Sequence, residues 1–485
     1  MKIGVCTCVR DERPYLREWI AHYRRLQFDH VWVYDNQSGD ASRDLLDRLA
    51  GPDLEVLPWN TIPKASPQLT AFEHAARAAV GKCDFLAFFD VDEFLMECTE
   101  GALHRALSNL DAAAEGIVIN QRIVGSNGQR KFSPLPVVAR FPLATSEAYL
   151  ENVWVKSIVR PESVVKFSNP HVPATKSRSL FSSAGVPLAE GALDSAGKLS
   201  VVDHRYLALN HYILKSYEEF LWKRHRGGGA AANLADRLSR YESDSFFTNR
   251  QVAIDKCLTA SGDGALSPEQ EQNAMALAIE DLRLVPARWT VRAPLLSPAQ
   301  RDWLILEIAA AATFVSYGVT EAIIDAVYAG VPRVVVVDSS VDLLQRLGGD
   351  PLVAAAKSAG RLDVMHADIG LVDDYGYPVN TPAGTPMPAY PESAWRSVPA
   401  GVDEERPLVL VTGRYRVACA CHSALRSPDC KIMLRDFAER EQYQVLERLF
   451  DVSRVIDGAA VLELRGGIGR HALVAAYNEH LVDCL

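Results

Sequence analysis

No run of apolar residues in this 485-residue chain approaches the ~20 that a membrane span requires. The nearest candidate, "LILEIAAAATFV", is too short and carries Glu307. The opening "MKIGVCTCVRDE" turns polar too early for a signal peptide, so a cytoplasmic location is expected. Excess positive charge is lacking too. Against 61 Asp and Glu stand 51 Lys and Arg, a formal net charge of −10, which argues against a general nucleic-acid binder. An acidic chain can still take anionic substrates where a local basic site or a metal receives them. CxxC pairs are missing, and the nine cysteines are scattered and odd in number, the pattern of reduced thiols. Cys6/Cys8 and Cys419/Cys421 are read as strand alternation and helical core rather than as metal ligands. Internal repeats and low-complexity tracts are absent as well.

What is present is an ordinary globular composition, 48% hydrophobic and 23% charged, in a chain too long for one core. Two α/β domains are expected. The first ~60 residues read as βαβ: the β-branched "KIGVCTCV", a helix from Pro14 through "PYLREWIAHYRRLQ", and "HVWVYDN". Helices over "ASRDLLDRLA" and "QLTAFEHAARAAVG" alternate with "LEVLPW" and "FLAFFDVDEF". This alternation indicates a mostly parallel sheet covered on both faces, with functional residues beyond the strands' carboxyl ends. "GIVINQRIV", "VKSIVRP" and "VVKF" continue as strands, and "SYEEFLWKRHR" is a helix that Gly227-Gly228-Gly229 should stop. Boundaries are expected at 1–262 for the first domain, 263–296 for a proline-punctuated linker and 297–485 for the second.

"FFDVDEF", residues 88 to 94, ends an apolar strand in Asp90, Asp92 and Glu93. Like charges at a strand end need a cation, a basic partner or water. On an extended segment residues i and i+2 point to one side, so Asp90 and Asp92 could share a hard cation such as Mn²⁺ or Mg²⁺. The alternative is a solvated loop or helix cap.

Together "RDERPYLREWIAHYRRLQFDHVWVYDNQSGD", "FFDVDEF", "VKSIVRP" and "NHYILKSYEEFLWKRHRGG" resemble family 92 glycosyltransferases and their bacterial relatives over residues 1 to 230 or so. The resemblance implies a GT-A fold with a DxD metal site. It implies inverting transfer of a sugar from a nucleotide-sugar donor, expected to be a UDP-sugar, to a glycan acceptor in polysaccharide assembly. A lipid-linked acceptor would be reached peripherally, at the inner face of a membrane. Arg10, Glu12 and Asp35 lie just past strand ends, where base and ribose would be held. Asp35 either accepts a uracil imide N–H or forms an Asx-turn with Asn36 and Ser38. Asp90 would face ribose and metal, Asp92 the metal, and His211 or His171 would supply a further ligand. Lys156, Lys215, Lys223 and Arg224 could offset diphosphate charge, with a solvated helix face as the alternative for the last two. An inverting reaction needs a carboxylate base, and Glu218, Glu219 and Glu151 are candidates.

In the second domain "TFVSYGVTEAIIDA", "PRVVVVDSS", "VMHADIG", "LVLVTGRYRVACACHSAL" and "KIMLRDF" resemble, in order, the strands of a class I S-adenosylmethionine-dependent methyltransferase. That implies a cofactor turn at Gly318, a ribose-binding Asp338 and an adenine-side Asp368. Yet the usual G-x-G is here "YGVTEA". Val319 and Thr320 should crowd the cofactor, and Glu321 should repel its carboxylate. Three readings follow: a glycosyltransferase with a methyltransferase-like appendage, a bifunctional glycosyltransferase and O-methyltransferase, or a non-catalytic carbohydrate-binding scaffold.

Overall fold

The computed structural model describes residues 1–226, 258–260, 266–284, 295–373, 377–379, 382, 385–398 and 406–484. The expected stop at Gly227-Gly228-Gly229, the helical stretch reaching Cys257 and most of the expected linker lie outside the described residues. The chain divides into two compact units, one of Met1–Arg130 with Leu135–Ala274, the other of Met275–Leu485 with Lys131–Pro134.

The first unit opens with β1 (Ile3–Val9), α1 (Arg13–Arg25), β2 (His30–Asp35), α2 (Ser42–Leu49), β3 (Leu54–Pro58), α3 (Pro67–Ala79) and β4 (Phe85–Phe88). These strands lie parallel in the order β3-β2-β1-β4. Then follow β5 (Glu93–Glu97), α4 (Ala102–Ser108), β6 (Gly116–Ile123), α5 (Val137–Arg140), β7 (Leu143–Thr145) and β8 (Val155–Val159). The small strands β9 (Val164–Lys166), β10 (Ala174–Thr175) and β11 (Leu180–Ser182) lead to β12 (Leu207–His211) and α6 (Tyr217–Arg226). β8 runs antiparallel to β4 and to β6, so the sheet is mixed, and it continues β8-β6-β12-β5. A strand β13 (Leu258–Ala260) pairs with β7.

The apolar spacing of α1 dictates its packing. Tyr15, Leu16, Trp19, Ile20 and Tyr23 recur on one face and are buried. α3 packs Ala71, Phe72, Ala75, Ala76 and Ala79 with Cys6 and Phe88 of the central strands. Small residues let that helix approach the sheet closely. Cys6 and Cys8 sit in β1, and every described cysteine is a free thiol.

One expectation is corrected here. Asp90 to Asp92 are not part of an extended strand: β4 stops at Phe88, and the amide of Glu93 donates to the Asp90 carbonyl at 3.0 Å, closing a tight turn before β5. The physical reason is local. The turn turns the sharing of one side by residues i and i+2 into a divergence of carboxylates.

The division between the units falls within α7 (Pro268–Leu284), whose later part opens the second unit. It contains α8 (Pro298–Ala310), β14 (Thr313–Tyr317), α9 (Ala322–Tyr328), β15 (Arg333–Asp338), α10 (Val341–Gly348), α11 (Pro351–Ser358) and β16 (Leu362–His366). After α12 (Ala389–Ser393) come β17 (Leu408–Val411), α13 (Arg416–Arg426), β18 (Lys431–Leu434), β19 (Phe450–Ile456), β20 (Ala459–Leu464) and α14 (Arg470–Glu479). The order β16-β15-β14-β17-β18-β20-β19 is a doubly wound, Rossmann-like sheet with an antiparallel hairpin at one edge, the methyltransferase type. Ser297 caps α8 through a capping box with Gln300. Cys419 and Cys421 are buried on α13, as core rather than ligands. Sequence patterning missed β19, an edge strand that is largely solvated, and α12, a short helix inside an irregular stretch.

Candidate active site

The turn after β4 is held from three directions. α1 presents the Trp19 indole, which donates to the carbonyls of Asp90 (3.0 Å) and Glu93 (3.1 Å), and the Tyr23 hydroxyl, which donates to Glu93 (2.9 Å). From the start of α3 the Gln68 amide donates to Asp90 Oδ1. From β8, Lys156 Nζ stands 2.9 Å from Asp90 Oδ2 and 3.4 Å from Glu93 Oε2. Glu93 Oε1 also accepts from Gln121 of β6 at 2.5 Å.

Asp92 looks elsewhere. Its Oδ2 lies 2.7 Å from Lys223 Nζ on α6, and its Oδ1 lies 3.7 Å from His211 Nε2 at the end of β12. The like charges are thus reconciled by one lysine each side of the turn. Burial raises the Asp92 carboxyl, but Lys223 and His211 outweigh it and hold the group well below the usual carboxylate range. Glu93, fully enclosed, is pushed up to about 7 by burial, with Lys156 opposing. Burial alone would lower Lys156, and Asp90 and Glu93 turn the balance upward.

His211 and His171 separate clearly. His211 faces Asp92, and its buried Nδ1 has no hydrogen-bond partner among the described residues. His171 spends its Nδ1 on the Val155 carbonyl at 3.0 Å and stacks on Trp154, and burial lowers it to about 4. The described residues contain no cluster of three or more His, Cys, Asp or Glu that could hold a metal ion. Asp92 and His211 offer two facing donors there, with Lys223 on the other carboxylate oxygen. That donor set suits Mg²⁺ or Mn²⁺, which keep waters and take one or two carboxylates together with substrate phosphates.

Lys215 is the unusual cation. It is 4% exposed, its φ is +55°, and its ammonium sits 4.3 Å from the Tyr15 ring centroid. It makes no hydrogen bond or ion pair among the described residues, and burial lowers it despite the nearby charge of Asp92. Lys223, paired with Asp92 and largely buried, does not lie on a solvated helix face.

The loops after β1 and β2 are laced together. Asp11 Oδ1 accepts from Gly39 N at 2.6 Å, Ser38 Oγ from Asp11 N at 3.0 Å, and Ser42 Oγ from Glu12 N at 3.2 Å. Asp35 Oδ1 accepts from Ser38 N, three residues on, at 3.2 Å, which ties down the start of the loop. Arg10, just past β1, keeps a partly exposed side chain.

Among the base candidates, Glu219 is committed elsewhere. Arg140 of α5 grips it through two 2.8 Å bonds, Tyr15 Oη donates at 3.0 Å and Ser216 Oγ at 2.5 Å. Burial works against its charge, yet Arg140 holds it below the ordinary value. Such a carboxylate is a poor proton acceptor. Glu218 is buried at the first turn of α6, and Glu151 is half-buried in a 3₁₀ turn ahead of β8.

In the second unit Gly318 has φ +108°, as a tight strand-end turn requires. Asp338 is buried, and its carboxylate accepts from Val319 N at 2.9 Å and Ser340 N at 2.8 Å. Asp368 is exposed and accepts from Gly370 N. Glu321 is buried, and its carboxylate accepts from Leu296 N at 3.2 Å.

A family model for glycosyltransferase family 92 matches residues 2–193. A glycosyltransferase family 92 protein of Arabidopsis thaliana is 34% identical over 93 residues, 19% of this chain and 16% of that protein. One of Oryza sativa subsp. japonica is 28% identical over 164 residues, 33% of this chain and 27% of that protein. The chain thus spans little more than a quarter, at most, of these two relatives. Among solved structures, a methyltransferase-like protein from Silicibacter pomeroyi aligns at TM-score 0.31 and 19% identity over 39% of this chain and 96% of its own. An O-methyltransferase from Bacillus cereus in complex with SAH aligns at TM-score 0.23 and 14% identity, over 42% and 77% respectively.

Proposed function

We propose that the chain is a glycosyltransferase that moves a sugar from a nucleotide-sugar donor to a glycan acceptor, with its site at the β4 turn of the first unit. One observation carries the reading. Asp92, inside the segment that matches family 92, is flanked by a lysine and by a histidine with an unpartnered ring nitrogen, brought from α6 and β12.

Asp92 and His211 would hold Mn²⁺ or Mg²⁺, which when bound neutralises charge on a leaving diphosphate. Lys156 fixes Asp90 and, with Gln68, keeps its carboxylate aimed along the turn. Lys215 and Lys223 supply positive charge beside Asp92. The laced loops with Arg10, Glu12 and Asp35 form the nucleoside side, with Asp35 shaping the loop as a turn former. Inversion requires proton removal from the acceptor hydroxyl, for which Glu219, held by Arg140, is ill suited, which leaves Glu218 and Glu151 as the candidates. A UDP-sugar as donor and a role in polysaccharide assembly belong to the same proposal.

The test is a screen of nucleotide sugars against the purified chain, with and without Mn²⁺. A true donor at ~100 times its dissociation constant adds about 2.7 kcal/mol of stability, and slow donor hydrolysis should accompany it. Neither a thermal shift nor hydrolysis with any donor would leave the carbohydrate-binding scaffold standing instead.

A further inference from the structure

In a doubly wound sheet the ligand crevice opens where strand order reverses, beyond the carboxyl ends of the strands. In the second unit that point lies between β14 and β17. The two strand ends are sewn together: Thr412 N and Gly413 N both donate to the Tyr317 carbonyl, at 2.9 and 2.7 Å. Above this seam lies Tyr390 of α12, 1% exposed. A Cβ placed on Gly413 would fall inside the van der Waals envelope of Tyr390 Oη, by far its closest contact, and would lie 3.1 Å from the ring carbon Cζ and 3.1 Å from the Tyr317 carbonyl oxygen. The bare α-carbon that could admit a ligand thus admits a phenol. Tyr317 and Tyr415 flank the ring, with centroids 6.2 and 5.9 Å away.

The acidic position is consumed as well. Both oxygens of Asp338 serve backbone amides of its own strand-end turns, and its charge, after burial, is the next cause that keeps the Tyr390 phenol protonated. Nor is Tyr390 loosely held. Tyr317 Oη donates to the Pro391 carbonyl at 2.6 Å, Trp395 Nε1 donates to Tyr317 Oη at 3.0 Å, and Tyr477 Oη donates to Glu392 at 2.7 Å.

We propose that Tyr390 occupies the crevice that an adenosyl cofactor would need, so that the second unit keeps the methyltransferase-type sheet while filling its ligand seat with its own side chain. The residues present do not fit the cofactor, and no methyl transfer is derived from them. This inference stands apart from the glycosyltransferase reading and survives its failure.

Two measurements on the full chain test it. Calorimetry with S-adenosylhomocysteine, which needs no turnover to bind, should show no heat up to millimolar ligand. Gly413→Ala should lower the thermal midpoint in the native background, because the new methyl meets the phenol oxygen. In a Tyr390→Phe background, where that oxygen is gone and the ring stays, the same change should cost much less. Micromolar binding by the native chain would overturn the proposal. Equal losses from Gly413→Ala in both backgrounds would overturn it too, since they would remove Tyr390 from the seat.

Discussion

Lys223 Nζ stands 2.7 Å from Asp92 Oδ2, across 131 residues of sequence, with both side chains largely removed from water. A pair of this kind constrains what a mutation does, because deleting one partner strands the other.

Asp92→Asn should therefore cut sugar transfer at least 100-fold and also lower the thermal midpoint, by leaving Lys223 without its counter-charge. The double variant Asp92→Asn/Lys223→Met should recover much of the midpoint and none of the activity. Donor turnover and thermal unfolding, measured on both, separate the two effects. Full turnover by Asp92→Asn with metal supplied would refute the assignment.

Lys215 adopts φ +55°, a region that costs an L-residue about 1–2 kcal/mol and costs glycine almost nothing. Lys215→Gly should raise the midpoint by roughly 2–4 °C per kcal/mol regained. The same variant should weaken donor binding at least tenfold in calorimetry. Lys215→Met, which loses the charge and keeps the strain, should weaken binding without the rise. A variant that gains stability and binds donor as before would make Lys215 merely a strained loop residue.

Glu219→Gln should act on stability rather than on chemistry. It breaks a buried, bidentate pair with Arg140, a loss of about 3–5 kcal/mol. Transfer per folded molecule should stay within a few-fold of native and keep its pH profile. A flattened acidic limb with an unchanged midpoint would return Glu219 to the list of bases.

His22 supplies a pH dependence away from the carboxylate turn. Its Nε2 lies 2.8 Å from the Leu95 carbonyl, its Nδ1 faces Arg25, and burial lowers it from 6.5 to about 4. The unfolded chain takes up the proton near 6.5, and the folded chain resists it until about pH 4. Its contribution is intact above 6.5 and is lost as pH falls toward 4, by about 3 kcal/mol at most. His22→Gln should flatten the acid slope of denaturant-measured stability in that interval. An unchanged slope would show that other groups set it.

Much of the fold was legible because its strands are short apolar runs between helices of clear periodicity, as in β1, α1 and β2. That the carboxylates of the turn need a positive partner was legible for a related reason, but Lys156, read as a counter-charge for a diphosphate, is instead paired with Asp90 and Glu93. What the sequence hid was direction. A strand and a turn of four residues look alike in "FFDVDEF", so the parting of Asp90 from Asp92 became visible only with Trp19, Tyr23 and Gln68 in place. Gln121 left a readable sign, a polar residue inside the apolar "GIVINQRIV", that was passed over. Tyr390 left none, since nothing in "MPAYPESAW" says that its ring fills a crevice between strands joined far away in the chain.

The separation of Asp92 from Lys223 also has a meaning in time. A ribosome adding roughly 5–20 residues per second needs about 7–26 s to reach Lys223 after Asp92 has been made. Lys156 arrives earlier, so Asp90 and Glu93 gain their counter-charge while Asp92 still waits. Until α6 docks, α1, α3, β6 and β8 can hold the turn, but Asp92 lacks Lys223 and is left to water and dissolved cations. The Asp92–Lys223 pair is accordingly completed late in the synthesis of the first unit, with β13 still to follow. A nascent chain released before α6 would have the sheet, but no lysine beside Asp92.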